Sequence, residues 1–206
     1  MLPLYEKLFQ SHTEENPSEL LNNKDKKRYQ AIVASLLFVS RMTRPDISIQ
    51  ENPLWRSASG PSQNNWKEAI AILRDLWRTR SECIISHKPT NTNLVAYADT
   101  LYGGEESRSQ SGTLLTLGNQ PMGWYSRRQD IVSLSSTEAE CMPDCEASKD
   151  LLWARQFLKE LGIAEKPTLV TDSEGVYNLS KTAKFFRRSC HIDLRYHYLR
   201  QEVQKE

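Results

Sequence analysis

The succession of two contrasting apolar patterns is the feature that most limits how this chain can fold. Up to about residue 80, apolar residues recur at helical spacing, and the segment 64–80 is the clearest amphipathic stretch. Beyond residue 90, the chain changes to short segments that are rich in strand-forming residues and are bounded by turn residues. The sequence therefore predicts a group of helices followed by a small sheet.

The second part of the chain alternates strands and helices. A long segment opens with Ser and Thr capping residues and ends at Gly162, which predicts a helix over 136–162. A short strand is predicted over 167–175, ending at Asp172, and two more helices close the chain. The three segments that predict an antiparallel meander before them are 93–99, 111–118 and 122–128. This order predicts an α/β fold with a mixed sheet flanked by helices and an N-terminal helical extension.

Three prolines limit where helices are predicted to run. The pattern over 27–43 ends before Pro45, and Pro53 is expected to break or kink a second helix. Pro143 follows closely on the predicted start of the 136–162 helix. Because an interior proline costs about 3 kcal/mol, we expect Pro143 to be tolerated only in the first turn.

Composition excludes several classes of protein. Of 206 residues, 38% are hydrophobic and 26% are charged, which is typical of a globular protein, and the net charge of +1 gives no whole-chain argument for a polyanionic partner. The apolar run 31–39 is too short to cross a bilayer, and the N-terminus lacks a signal-peptide core. We therefore expect an intracellular protein, cytoplasmic or nuclear, with no membrane association.

The four cysteines are expected to be reduced thiols in such a compartment. A structural zinc site is an alternative interpretation of some of them, although the usual short-spaced pairs of ligands are missing. The residues of that alternative site are Cys141, Cys145, Cys190 and His191.

Carboxylates fall where α/β folds gather their functional sites. Asp99 and Asp172 lie at predicted strand ends, Glu138 and Glu140 lie in the first turn of the 136–162 helix, and Asp193 begins the last helix. Carboxylates brought together there would repel one another without a hard divalent cation between them. The arrangement predicts a magnesium site, with manganese as the substitute, of the type that cleaves phosphodiesters.

The same segments resemble a known family. "LVAYAD", "SGTLLTLGNQPMGWYSRRQ", "VSLSSTEAE", "TDSEGVYNLSK" and "HIDLRYHYLR", in this order, resemble the C-terminal end of a copia-type retrotransposon polyprotein. That end is a ribonuclease H domain with a helical connection segment before it. The resemblance implies a five-stranded sheet flanked by helices and magnesium-dependent cleavage of RNA in RNA–DNA hybrids. It also implies the reverse transcriptase part of a parent polyprotein as a partner.

The resemblance divides the chain and assigns its acids. It implies a helical connection segment over 27–86 and a ribonuclease H-like domain over 87–206, and the polar residues 1–26, which show little periodicity, predict an irregular lead-in. By motif, the catalytic and metal-binding acids are Asp99, Glu140, Asp172 and Asp193. The family's Glu-x-x-Ala frame favours Glu140, with Pro143 at the alanine position, and Glu138 is held in reserve.

Basic residues and one histidine complete the predicted site. His191, directly before the last acid, is interpreted either as a structural histidine or as a proton shuttle and is counted among the catalytic candidates. The basic residues predicted to contact nucleic-acid phosphates are Arg127, Arg128, Lys181, Lys184, Arg187 and Arg188. The alternative for these residues is a solvated surface.

Several positions depart from the family pattern. Leu101 stands where the family usually has a second aspartate, Tyr102 replaces a tryptophan, and Pro143 replaces an alanine. The chain also lacks an adjacent Asp-Asp pair, so it contains no reverse-transcriptase polymerase site. These departures support an alternative function, namely a decayed remnant that binds nucleic acid or protein without cleaving.

Overall fold

Three helices form the first part of the molecule. The structure, a computed structural model, describes residues 19–87, 91–103, 108–133, 135–163, 167–174 and 176–177. The helices are α1 (Asn23–Met42), α2 (Ser48–Arg56) and α3 (Gln63–Arg78). Single 3-10 turns at Pro45–Ile47 and Ser57–Ser59 flank α2. We refer to Asn23–Arg78 as the helical segment.

Side-chain caps explain where two of these helices begin. The Asn22 side chain accepts hydrogen bonds from the first turn of α1, and Ser62 forms a capping box with Asn65 at the start of α3. The predicted helices 27–43 and 64–80 are thus confirmed, with α1 starting a turn earlier. A shared apolar core holds the helical segment together, consisting of Tyr29, Val33, Leu36, Ile47, Leu54, Ala69 and Ile72.

The expected break at Pro53 is wrong, because α2 continues through that residue to Arg56. Leu54, directly after the proline, is buried in the core of the helical segment. Its carbonyl accepts a hydrogen bond of 2.7 Å from the Tyr29 hydroxyl. Tertiary packing therefore outweighs the local cost of the proline.

Four strands form one mixed sheet in the order β3-β2-β1-β4. They are β1 (Leu94–Leu101), β2 (Gln110–Leu117), β3 (Gln120–Arg128) and β4 (Thr168–Val170). The first three form the predicted antiparallel meander, and β4 runs parallel to β1. Gly118 and Asn119 both have positive φ, 56° and 66°, as a two-residue hairpin turn of type I′ requires.

Helix α4 (Ser136–Glu160) packs on one face of this sheet. Ser135 caps its start by accepting a hydrogen bond from the Glu138 amide, and Gly162, with φ of 77°, follows its end. The Gly162 and Ile163 amides donate back to Lys159 and Leu158, which is a Schellman motif. The core between helix and sheet consists of Leu94, Ala96, Ala98, Ala147, Leu151, Ala154 and Leu158.

The predicted fold class is confirmed, since a mixed sheet flanked by helices follows an N-terminal helical segment. The described residues contain four strands, and the fifth strand implied by the family resemblance has no counterpart among them. The two predicted closing helices lie almost wholly outside the described residues. The proposed division at residues 26 and 86 stays a prediction. None of the described helices is long and apolar enough to cross a membrane.

Candidate functional site

Two predicted site acids lie at the same end of neighbouring parallel strands. Tyr97 of β1 pairs with Val170 of β4, so Asp99 and Asp172 each lie two residues beyond a paired position. Both acids are solvent-exposed. The strand itself stops at Val170, so Asp172 follows β4 and does not end it as predicted. Strand β1 continues past Asp99 to Leu101, so Asp99 lies within its strand, paired with Gly112, and not at the predicted strand end. This edge matches the place where parallel strands of α/β proteins gather functional residues.

A hydrogen bond attaches helix α4 to the same edge. The Thr100 hydroxyl, next to Asp99, donates to the Ala139 carbonyl at 3.0 Å. Ala139 directly precedes Glu140, which is half-buried. The backbone beside Asp99 and the backbone beside Glu140 are therefore joined.

Pro143 lies in the third turn of α4 and is fully buried. A proline has no amide hydrogen to donate to the carbonyl four residues earlier, which here belongs to Ala139. That carbonyl instead accepts from the Gln129 side-chain amide at 2.7 Å and from Thr100 at 3.0 Å. The expectation that Pro143 requires the first turn is wrong, because two side chains replace the backbone donor.

Gln129 is the centre of a buried polar network that the sequence did not reveal. Its side-chain amide also donates to the Ser111 hydroxyl at 3.0 Å, and its side-chain oxygen accepts from the Ser133 hydroxyl at 3.0 Å. The Gln129 backbone amide donates to the Ser109 carbonyl at 2.8 Å. All four side chains are buried. The network fixes the connection between β3 and α4, and thereby the start of the helix that carries Glu140.

Asp144 is a second site feature that sequence reasoning missed as a functional residue. It lies one turn after Glu140 and is 1% exposed. Burial raises the pKa of Asp144 from 3.8 to about 7, a hydrogen bond with Thr171 opposes the rise, and the nearby charges of Glu140 and Asp172 add to it. Its Oδ2 atom has no hydrogen-bond partner among the described residues. The i, i+4 spacing from Glu140 was the available signal.

Asp99 lies on the face of the sheet opposite α4. The β1 residues Ala96 and Ala98 face the helix, so alternation directs Tyr97 and Asp99 to the other face. There a groove of about 320 Å³ separates α2 from the sheet and extends to Asp99. Glu140, Asp144 and Asp172 thus approach the edge from one side, and Asp99 approaches it from the other.

Among the described residues, no three His, Cys, Asp or Glu side chains are grouped as metal ligands. Asp193 and His191 lie outside the described residues, as do Lys181, Lys184, Arg187 and Arg188. The four-acid assignment therefore stays a prediction. Cys141 and Cys145 are buried against Val176, and the other two residues of the alternative zinc site are not described.

The two neighbouring glutamates occupy different environments. Glu138 is buried in the first turn of α4, where its amide bonds to the Ser135 cap, and a negative charge there favours the helix dipole. Glu140 lies in the second turn, not in the first as predicted, because the helix begins at Ser136, and it is half-buried. The location of Glu138 is as predicted, and the choice of Glu140 as the metal ligand stays a prediction.

Comparison with known proteins gives the lineage of the chain. No family model matches it. It is 34% identical over 187 residues to the retrovirus-related Pol polyprotein from transposon TNT 1-94 of Nicotiana tabacum, covering 89% of this chain and 14% of that protein. It is 34% identical over 184 residues to the Pol polyprotein from transposon RE2 of Arabidopsis thaliana, covering 87% of this chain and 13% of that protein. The chain belongs to the Pol polyproteins of copia-type retrotransposons.

This Pol-related chain therefore spans about a seventh of the polyproteins that it matches. It is also 32% identical over 127 residues to a protein named secreted RxLR effector protein 161 of Plasmopara viticola, covering 61% of this chain and 89% of that protein. A solved foamy viral protease–reverse transcriptase in complex with dsDNA aligns with 94% of this chain and 39% of that chain, with 15% identity and a TM-score of 0.44. This TM-score and this identity are too low to support a statement about fold or function.

Two of the predicted phosphate-binding residues of this Pol-related chain are described, and they differ in their surroundings. Arg127 lies on the α4 face of β3 and forms an ion pair with Glu146. Arg128 follows it and, by strand alternation, lies on the face toward α2. The two arginines are therefore on opposite faces of the sheet.

Proposed function

We propose that this segment of a Pol polyprotein is a magnesium-dependent ribonuclease H that cleaves the RNA strand of RNA–DNA hybrids. The observation that supports the proposal is the common edge of Asp99 and Asp172 on adjacent parallel strands. The helix that carries Glu140 is hydrogen-bonded to this edge through Thr100 and Ala139. Clustered carboxylates hold the divalent cations that cleave phosphodiesters.

The chemistry of the donor set fits magnesium. Carboxylate oxygens are the hard ligands that Mg²⁺ prefers, and Mn²⁺ accepts the same ligands. The residues that would hold the metal are Asp99, Glu140, Asp172 and Asp193. When bound, the metal supplies an activated water and stabilises the leaving oxygen of the phosphodiester.

The remaining residues would orient the site and the substrate. Gln129 and Thr100 fix the start of α4 through the Ala139 carbonyl, which keeps Glu140 beside the strand that carries Asp99. His191 would transfer protons beside Asp193. The predicted basic residues would contact phosphates of the hybrid, and the reverse transcriptase part of a parent polyprotein would deliver it.

Hybrid cleavage is the direct test. Purified chain is incubated with magnesium and a hybrid labelled on its RNA strand, in parallel with Asp172→Asn and Asp99→Asn. Both variants are expected to reduce cleavage to the level of a reaction without protein, while the matched control Asp130→Asn, an exposed acid outside the proposed site, retains the wild-type rate. Equal cleavage rates in wild type and Asp172→Asn would contradict the assignment of Asp172 as a catalytic metal ligand.

A second function, binding of nucleic acid without cleavage, is favoured by the surroundings of two acids. Asp144 places a buried carboxyl, whose Oδ2 atom has no hydrogen-bond partner among the described residues, near the charges of Glu140 and Asp172. Leu101, which is 46% exposed, places an apolar side chain on the same face as Asp99. Calorimetric titration with magnesium separates the two functions. Retention of hybrid binding with no carboxylate-dependent magnesium binding would favour the second.

A further inference from the structure

Helix α2 runs alongside strand β3, and every fourth residue of the helix lies opposite every second residue of the strand. We refer to each such pair as a step. One face of β3 presents Trp124, Ser126 and Arg128, and successive turns of α2 present Ser48, Asn52 and Arg56. At the first step, the Trp124 indole and the Ser48 hydroxyl both donate to the Ser40 carbonyl, at 2.6 and 3.3 Å. At the second step, the Asn52 side chain donates to the Ser126 carbonyl at 2.6 Å.

The same register places Arg56 opposite Arg128 at the third step. Four helical residues advance about 6 Å and two strand residues advance about 6.7 Å, so the match at Asn52 and Ser126 carries on to Arg56 and Arg128. The electrostatics agree with this register. Burial lowers the pKa of the Arg56 guanidinium, and the neighbouring charge of Arg128 lowers it further.

No carboxylate among the described residues compensates this pair of charges. The ion pairs there involve Arg28, Arg44 and Arg127, and neither Arg56 nor Arg128 takes part in one. Arg127, one residue away on the other face of β3, is by contrast neutralised by Glu146. Two neighbouring guanidinium groups that have no ion pair within the described part of the chain repel each other, and a bound anion would relieve that repulsion.

We propose that Arg56 and Arg128 together bind one backbone phosphate of a nucleic acid that lies across the Asp99 face of the sheet. The proposal rests on the nucleic-acid substrate of the proposed function and adds a subsite to it, made jointly by the helical segment and the sheet. Arginine suits this role because its planar guanidinium donates two parallel hydrogen bonds to phosphate oxygens.

The position of the pair relative to Asp99 supports a nucleic-acid ligand over a small anion. Asp99 of β1 pairs with Gly112 of β2, and Gly112 pairs with Ser126 of β3. Arg128 lies two residues after Ser126 and therefore on the same face of the sheet. Ideal strand spacing sets the Cα atoms of Asp99 and Arg128 on the order of 12 Å apart. Gly112 adds no side chain between them, and the neighbouring Gln110 side chain is held by a hydrogen bond to the Ser126 hydroxyl. A polyanion that extends from Asp99 would therefore reach the pair.

Hybrid binding as a function of salt is the test. Fluorescence anisotropy with a labelled RNA–DNA hybrid, in EDTA so that no cleavage occurs, is measured for wild type, Arg56→Gln, Arg128→Gln and the double variant. Each single variant is expected to bind about tenfold more weakly, as the loss of a charged hydrogen bond predicts. Because both arginines share one phosphate, the slope of log K against log salt should become shallower by about 0.9 in the double variant, not by about 1.8.

Arg74→Gln is the matched control, since Arg74 is an exposed arginine on α3. It is expected to bind as wild type does. Thermal unfolding checks that the variants fold, and the midpoints of Arg56→Gln and Arg128→Gln should be unchanged or raised because a repulsion is removed. A double variant with wild-type affinity and salt slope would overturn the proposal, as would a wild type that does not bind the hybrid.

Different results would contradict the ribonuclease assignment and the phosphate subsite. If wild type binds the hybrid with the expected arginine dependence but does not cleave it in magnesium, the phosphate subsite stands and the ribonuclease assignment falls. If wild type cleaves the hybrid and the arginine variants bind it normally, the assignment stands and the subsite falls.

Discussion

Helices α2 and α4 lie on opposite faces of the sheet and share two features that are unfavourable for stability. Each contains an internal proline, Pro53 or Pro143. Each also buries an acid whose second carboxylate oxygen has no hydrogen-bond partner among the described residues, Glu51 in α2 and Asp144 in α4. The two helices differ in how they attach to the sheet.

Helix α4 attaches by apolar packing together with hydrogen bonds at Ala139 and Glu146, whereas the described hydrogen bonds join α2 to the sheet only through Asn52. Alanines and leucines of α4 fill the core over β1 and β2, whereas α2 contacts β3 through Asn52 and leaves a groove of about 320 Å³ that reaches Asp99. The close packing of α4 brings its buried acid against the predicted site acids. The hydrogen-bonded attachment of α2 leaves a surface open for a ligand. One face therefore provides stability, and the other provides access.

The largest effect is expected from Asp144→Asn. The pKa of Asp144 is raised by burial from 3.8 to about 7, so the folded state takes up its proton more readily than the unfolded chain. The associated stability is present at low pH and is lost as the pH rises from about 4 to 7, by up to about 4 kcal/mol. The amide variant should lack this loss and be the more stable protein at pH 8. Urea unfolding in EDTA between pH 5 and 8 measures the difference.

Glu51→Gln is the counterpart of this substitution on α2. Burial raises the pKa of Glu51 as well, while the Ser40 hydrogen bond and the charge of Arg41 lower it. No acid adds to the shift, so the pH dependence removed by Glu51→Gln should be smaller than that removed by Asp144→Asn. Wild type and Asp144→Asn with the same pH profile would contradict the account of α4.

A smaller effect is expected from the bond between Gln129 and the Ala139 carbonyl, which Gln129→Leu removes together with the side-chain bonds to Ser111 and Ser133. Loss of the bond to Ala139 contributes about 1–3 kcal/mol to the cost in the free energy of unfolding. Pro143→Ala restores a backbone amide that can donate to the same carbonyl. The cost of Gln129→Leu should therefore shrink in the Pro143→Ala background. Equal costs in both backgrounds, measured by urea unfolding, would show that the proline and the glutamine act independently.

Local signals in the sequence were sufficient for most of the fold. The Ser/Thr cap of α4, the Gly162 terminator and the first strand each depend on neighbours in the chain, and each is found close to its predicted place. The cap is Ser135, one residue before the predicted segment. Pro53 and Pro143 were misjudged because their cost is offset by distant partners. The Tyr29 hydroxyl stabilises the turn after Pro53, and Gln129 and Thr100 bond the carbonyl below Pro143.

The candidate site also contains residues that local motifs identify and residues that only the packing of separate elements brings together. Motifs identified Asp99 and Asp172, and the strand pairing brings them to one edge. The burial of Asp144 and the adjacency of Arg56 and Arg128 depend on how separate elements pack, which no local pattern specifies. Arg56 in particular lies on a helix that the proline at 53 was expected to disrupt.

The smallest effect is expected from Asn52→Ala, which removes the hydrogen bond that fixes α2 to β3. The expected cost is about 1 kcal/mol, since the Ser126 carbonyl loses one neutral donor near the surface. Because α2 is joined to the sheet through Asn52, whereas α4 is held by an apolar core and further hydrogen bonds, the change should speed hydrogen exchange in α2 and leave α4 protected. Asn64→Ala, at an exposed position of α3, is the matched control. Equal acceleration in α2 and α4 would mean that the two helices open together, and that the groove beside Asp99 is as rigid as the core on the other face.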